Sequence, residues 1–113
     1  MSIITDKAAF FAAPPALRTE EVEIAPGVVF KLQESTVAKR LEFERSTKGK
    51  PDLAVAAAIL IEAAVDDEGK PIFTQADAPK VEANLPLAAV KKVAEVYMRL
   101  NSLGAEAEDA EKN

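Results

Sequence analysis

The longest apolar stretch of the chain predicts a buried helix. Residues 53–65 are apolar at every position except Glu62. A helix that is apolar nearly all round must be covered on most sides by other parts of the protein. We therefore expect this segment to be the central core helix, with Asp52 as its N-cap. A hidden interface with another protein is the alternative.

A second helix, near the carboxyl end, has one apolar face. It is predicted to begin at Pro86 and to run to about Leu103, where Gly104 stops it. At 100° per residue, one broad face carries Ala89, Val90, Val93, Val96, Tyr97, Leu100 and Leu103. Met98 falls on the opposite, charged face, where it is either an ordinary exposed side chain or a contact with a partner.

The amino-terminal third changes to a pattern typical of strands. Residues 21–24 alternate polar and apolar, Pro26-Gly27 supplies a turn, and residues 28–32 are rich in β-branched and aromatic side chains. This pattern predicts a β-hairpin. Because two strands alone are marginally stable, the hairpin is expected to lie on the helices.

A short apolar arm precedes the hairpin. Thr5 or Asp6 can cap a helix over residues 7–13, and Pro14-Pro15 ends it. Phe10 and Phe11 give the arm two adjacent aromatic side chains. Either both dock on the core of their own domain, or part of the arm contacts another subunit or a client protein.

The helix after the hairpin is strongly charged. Ser35 or Thr36 can cap it, and it should run to about Thr47. Its apolar stripe is narrow and consists of Val37, Ala38 and Leu41, whereas Phe43 points elsewhere. The helix is therefore either solvated on its charged face or contacts a partner through a second side that includes Phe43.

A polar turn and a short helix separate the two apolar helices. Residues 66–70 are predicted to form an acidic turn, which lacks the ligand spacing of a calcium loop, and residues 71–73 are predicted to be extended. Thr74 and Asp77 have the spacing of a capping box. Pro79 makes Asp77 an alternative cap for a helix that ends near Asn84.

Composition then sets the class of fold. At 113 residues and 5% aromatic content, the chain fits one domain with a thin, alanine-rich core. The prediction is a mainly α (α+β) protein with a single helical domain over residues 1–104 and a disordered acidic tail over 105–113. Within the domain, residues 1–18 form the arm, 19–33 the hairpin and 34–104 the helices.

Charge and residue types argue against several functions. A net charge of −5 disfavours nucleic acid and anionic membranes as partners. The chain has no cysteine or histidine, and no phosphate-binding loop or nucleophile motif occurs. We expect no catalytic residue, metal or cofactor. Glu62 alone has an apolar setting that could raise the pKa of a carboxylate, although the favoured interpretation is an edge position from which it reaches solvent or a lysine.

The order of these segments resembles a known family. Residues 64–77 read Ala-Val-Asp-Asp-Glu-Gly-Lys-Pro-Ile-Phe-Thr-Gln-Ala-Asp, and residues 100–104 read Leu-Asn-Ser-Leu-Gly. Together with the arm and the hairpin, these short motifs are similar to the tail assembly chaperones of long-tailed bacteriophages, in their short, non-frameshifted form. Pro79 departs from the family pattern at the start of the penultimate helix.

The resemblance implies a function and partners. Proteins of that family bind the tape-measure protein and help recruit tail tube subunits. The resemblance thus implies a homo-oligomer in the cytoplasm of the bacterial host that is absent from the mature virion. Residues 111–113, Glu-Lys-Asn, can be encoded as GAA-AAA-AAC, which contains a heptamer typical of programmed frameshifting. A head–tail connector, a tail terminator and a small helical regulatory adaptor are the alternatives.

Overall fold

The computed structural model describes residues 3–102, which form an α+β domain dominated by helices, as the sequence predicts. The elements in chain order are α1 (Lys7–Ala12), β1 (Thr19–Ala25), β2 (Val28–Gln33), α2 (Val37–Thr47), α3 (Asp52–Ala63), β3 (Ala64–Val65), α4 (Ala78–Asn84) and α5 (Val90–Leu100). Single 3-10 turns, Gln75–Asp77 and Leu87–Ala89, precede α4 and α5. The predicted acidic tail, with Leu103 and Gly104, lies outside the described residues.

The predicted β-hairpin is present. Strands β1 and β2 pair antiparallel, and Ala25 pairs with Val28 across the Pro26-Gly27 turn. Gly27 has a φ of +77°, a conformation that glycine adopts without steric cost. Val22 and Leu32 are buried on the face that covers the helices. The hairpin therefore gains its stability by packing, as expected for two strands.

A third strand was not predicted. Ala64 and Val65, placed in the core helix by the sequence, leave α3 and pair antiparallel with Leu32 and Lys31 of β2. The sheet order is β1-β2-β3, which leaves β1 and the two-residue β3 as its edges. The free edge of β2 supplies hydrogen-bond partners that outweigh the helical preference of these two residues.

Helix α3 is the centre of the core, as predicted. Six of its residues are buried, and α2, α4, α5 and β2 all lie against it. The predicted cap is wrong by one residue. Pro51 occupies the N-cap position and Asp52 is the first helical residue, without a side-chain capping hydrogen bond. The carboxylate of Asp52 in the first turn still favours the helix through the helix dipole.

The last helix ends three residues earlier than predicted. It ends at Leu100 because Asn101 turns the chain: its Nδ2 donates to the carbonyl of Tyr97 at 2.9 Å, and its Oδ1 accepts from the backbone N–H of Ser35 at 2.7 Å. Of the predicted apolar face, Ala89, Val93, Val96, Tyr97 and Leu100 are buried, and Val90 is half-buried.

Both predicted caps, Thr74 and Asp77, are found in the connection between α3 and α4. Thr74 and Asp77 form a capping box around the first 3-10 turn, in which the backbone N–H of Thr74 donates to Asp77 Oδ2 at 2.8 Å. Asp77 is also the N-cap position of α4, which places Pro79 in the first turn of that helix. A first-turn proline loses no helical hydrogen bond, so this departure from the family pattern is accommodated.

The central position of α3 can be tested by placing a charge in it. We expect Leu60→Asp to unfold the domain, because an unpaired charge in a fully buried position costs about 4 kcal/mol or more, against a marginal total stability. Leu53→Asp is the matched control, since Leu53 lies on the same helix but is 58% exposed. Cooperative thermal unfolding followed by circular dichroism should disappear only in the first variant. A normal transition in Leu60→Asp would contradict the assignment of the core.

Candidate protein-interaction surfaces

The amino-terminal arm stands away from the core. Asp6 caps α1 by accepting a hydrogen bond from the backbone N–H of Ala9 at 2.8 Å, and no residue of α1 is buried. Phe10 and Phe11 are 42% and 69% exposed, with ring centroids 5.6 Å apart. Of the two roles left open by the sequence, docking of both phenylalanines on their own core is wrong. The arm presents an aromatic pair to the surroundings.

The point where the arm leaves the domain is fixed. The backbone N–H of Arg18 donates to Glu34 Oε1 at 2.9 Å, and its Nη2 donates to the carbonyl of Leu100 at 2.6 Å and to Glu34 Oε2 at 3.3 Å. The backbone hydrogen bond from Arg18, together with its guanidinium, holds the pKa of Glu34 below its ordinary value. Arg18 therefore ties the end of the arm to β2 and α5.

Helix α2 is oriented differently from the prediction. Phe43 is only 5% exposed, and its ring centroid lies 5.7 Å from that of Tyr97. Val37 and Leu41, the predicted packing stripe, are 79% and 55% exposed. Phe43 therefore belongs to the core of its own chain, and we do not carry it forward as an interaction residue.

The predicted packing stripe of α2 is wrong because the inward face of this helix consists largely of polar residues. Lys39, Arg40, Phe43, Ser46 and Thr47 have helical spacing and are all at least half-buried. Arg40 lies over the ring of Phe43 at 5.1 Å and donates to the hydroxyl of Tyr97 at 3.3 Å. The hydroxyls of Ser46 and Thr47 both donate to the carbonyl of Phe43. The aliphatic stems of Lys39 and Arg40 therefore cover the core under α2. Ser46 and Thr47 can also face inward, because their hydroxyls form hydrogen bonds within the helix.

Met98 lies on the exposed face of α5, as its position in the sequence predicts. Lys91 and Glu95 on the same face form an ion pair at 3.8 Å. Nothing in its surroundings distinguishes Met98 from an ordinary surface methionine, so its role as a contact stays a prediction.

An aromatic groove opens between the hairpin and α4. Its volume is about 390 Å³, and we name it the Phe30–Phe73 groove. It is lined by Ile24, Phe30, Leu60, Ile72, Phe73, Asp77, Lys80, Val81, Asn84 and Leu85. The rings of Phe30 and Phe73 lie 5.9 Å apart. The sequence pattern does not predict this groove, because residues 71–73 indicate only an extended segment. The one available signal was an aromatic residue on each of two strand-like segments.

Glu62 faces α2 with one carboxylate oxygen buried. Within residues 3–102, its Oε1 has no hydrogen-bond partner. Burial raises the pKa of Glu62 above the ordinary value, the positive charges of Lys39 and Arg40 oppose that shift, and Glu42 adds to it. Both features that the sequence suggested are therefore present: burial raises the pKa, and Glu62 is a half-buried edge residue with the positive charge of Lys39 near it.

The described residues hold few other groups with potential for chemistry. Residues 3–102 contain no group of three or more carboxylate side chains placed to hold a metal ion. The carboxylate of Asp66, in the acidic turn, accepts from the backbone N–H groups of Glu68 and Lys70 at 2.8 and 3.0 Å. In the same part of the chain, no helix is long and apolar enough to cross a membrane.

Comparison with known proteins supports the fold. No protein-family model and no curated protein matches the sequence. Among solved structures, the chain is similar to one described as the structure of bacteriophage HK97 tail assembly chaperone, with a TM-score of 0.57 and 18% sequence identity. The similarity covers 80% of this chain and 88% of that one. At this identity it establishes a shared fold, which is the fold that the sequence resemblance implies.

The buried carboxylate gives a prediction about pH. The pKa of Glu62 is raised in the folded state, so its contribution to stability is greatest when it is protonated and is lost as pH rises through that pKa. We therefore expect E62Q to be more stable than the wild type at neutral pH, by about 1 kcal/mol. This advantage should shrink towards pH 4.

Urea denaturation of both proteins between about pH 4 and pH 7 measures the difference. Glu82→Gln removes one exposed carboxylate from α4 and controls for the change in net charge. If E62Q has the same stability difference from the wild type at every pH, the carboxylate is not destabilised by burial.

Proposed function

We propose that this protein is a tail assembly chaperone of a long-tailed bacteriophage. The observation that carries the proposal is the fold shared with the HK97 tail assembly chaperone over 80% of the chain. The motifs of residues 64–77 and 100–104 support the same family from the sequence. In this role the protein binds the tape-measure protein and helps recruit tail tube subunits. It acts in the cytoplasm of the bacterial host, without a cofactor, and does not enter the mature virion.

The surface of the domain supports this role physically. Several large apolar side chains are exposed on different elements: Phe10 and Phe11 on the arm, Val37 and Leu41 on α2, Leu53 on α3 and Met98 on α5. Such side chains can contact an apolar helical client at several points. The net charge of −5 keeps the resulting complexes soluble by mutual repulsion.

Self-association through the arm is part of the proposal. A coat around a long client needs many copies, and repeated copies usually share an interface. The aromatic pair of Phe10 and Phe11 is the best candidate, because both rings are exposed and lie next to each other on a helix that has no buried residue. Burial of each ring in an interface would contribute about 1.5–3 kcal/mol.

Co-expression with the tape-measure protein encoded in the same phage genome tests the function. We expect the tape-measure protein to be insoluble alone and soluble with this chain, with which it should co-purify. An unrelated acidic domain of similar size and charge is the control, since it separates specific binding from simple charge repulsion. An equally insoluble client in both co-expressions, or abundant chain in purified virions, would contradict the proposal.

The role of the arm is tested by sedimentation. Phe10→Ser combined with Phe11→Ser should lower the weight-average mass while leaving far-ultraviolet circular dichroism nearly unchanged, because neither ring is part of the core. Val37→Ser combined with Leu41→Ser is the matched control, since it removes two exposed apolar side chains from α2. If the arm variant keeps the wild-type mass and the α2 variant loses it, the interface lies on α2.

A further inference from the structure

We propose that the Phe30–Phe73 groove of one copy receives the Phe10–Phe11 arm of a second copy. The inference rests on the self-association proposed above and names the surface that the arm occupies. The arm has two exposed rings without a partner in its own domain, and the groove has two rings that remain accessible from one side. The two features are complementary in chemistry, size, position and charge.

The size of the groove fits the aromatic pair. An apolar cavity of about 150 Å³ holds one benzene molecule. The groove has a volume of about 390 Å³, which is enough for two rings. Phe10 and Phe11 lie 5.6 Å apart and tilted, so they can enter as one unit. Phe30 and Phe73 offer them the tilted contacts that aromatic rings prefer.

The arm and the groove meet the hairpin at different points. The arm joins the domain at Thr19, which pairs with Gln33 at the open end. The groove is lined by Phe30, which pairs with Val22 in the middle of the strands, and by Ile24, closer to the turn. Ile24 is five residues along β1 from Thr19, a distance of roughly 17 Å. Binding of the arm to a neighbour therefore joins the open end of one hairpin to the groove of the next domain.

This arrangement is heterologous, because the two contacting surfaces differ. Each copy has one arm and one groove, so a copy that donates its arm still has a free groove. Such contacts do not limit the assembly to a pair and extend it into a chain or a ring. Extension of this kind matches the need for many copies along a client.

The charges beside the two surfaces also match. Asp6 and Lys7 lie at the start of α1, one helical turn before the aromatic pair. Asp77 and Lys80 line the groove. Within residues 3–102, Lys7 and Lys80 form no ion pair. Each surface therefore offers one acid and one base to the other, and each lysine has an uncompensated charge to contribute.

Mixing two defective variants of the full chain tests the inference. The arm variant carries Phe10→Ser and Phe11→Ser, and the groove variant carries Ile72→Glu at an exposed position of the lining. Each variant alone should sediment as a monomer. An equimolar mixture has one intact arm and one intact groove per pair, so it should double in mass and stop at the dimer.

Two further variants serve as controls. Asn84→Trp fills the groove without adding charge, and it should reproduce the effect of Ile72→Glu if that variant does not fold. Leu87→Glu makes the same charge change at an exposed position outside the groove and should keep the wild-type mass. A labelled peptide of residues 3–18 should bind the folded arm variant and lose at least tenfold in affinity when the groove variants are made in that background.

The outcomes separate the inference from the proposed function. If the wild type self-associates and solubilises its client, but the groove variants keep the wild-type mass, the groove is not the docking site and the chaperone proposal stands. A dimer in the mixture, together with a client that stays insoluble when co-expressed with the wild-type chain, would support the groove and overturn the function. Failure of the peptide to bind, together with no dimer in the mixture, would overturn the inference whatever the client does.

Discussion

The need to cover α3 on all sides determines most of the structure. A helix built almost entirely of alanine, valine, leucine and isoleucine cannot leave a broad face to water, so α2, α4, α5 and the sheet each cover a part of it. Its many alanines bring these neighbours close but bury little area each. The small domain uses nearly all its elements for this purpose, and the arm remains outside.

The sequence was sufficient where a pattern repeats or a cap is specific. The alternation before Pro26-Gly27, the apolar face of α5 and the caps at Asp6 and Thr36 each led to the observed element. The sequence was insufficient where contacts between distant segments determine the local structure or the burial of a side chain. Nothing in the apolar run of residues 53–65 indicates that its last two residues join a sheet. The residues on the inward face of α2 are mostly polar, so their pattern does not predict that Phe43 is buried. The groove forms between segments that are distant in the chain, so no local pattern predicts it.

The candidate interaction surfaces likewise combine features that the sequence predicts with features that depend on tertiary contacts. The end of the arm helix before Pro14-Pro15 could be predicted, because proline stops a helix, but the exposure of its two phenylalanines could not. The anchoring of the arm could not be predicted, since Arg18 bonds to residues far away in the chain. That anchor joins the open end of the hairpin to the last turn of α5, so the direction in which the arm leaves is set by the core.

The open edge of β1 has a consequence for aggregation of the folded protein. Within the described residues, no strand pairs with the outer edge of β1, which carries glutamates at 20, 21 and 23. Two such edges joined antiparallel about Val22 would place Glu21 opposite Glu23 twice, and like charges in that position oppose pairing. The same short segment that builds the sheet thus opposes the growth of the sheet into fibrils through the β1 edge.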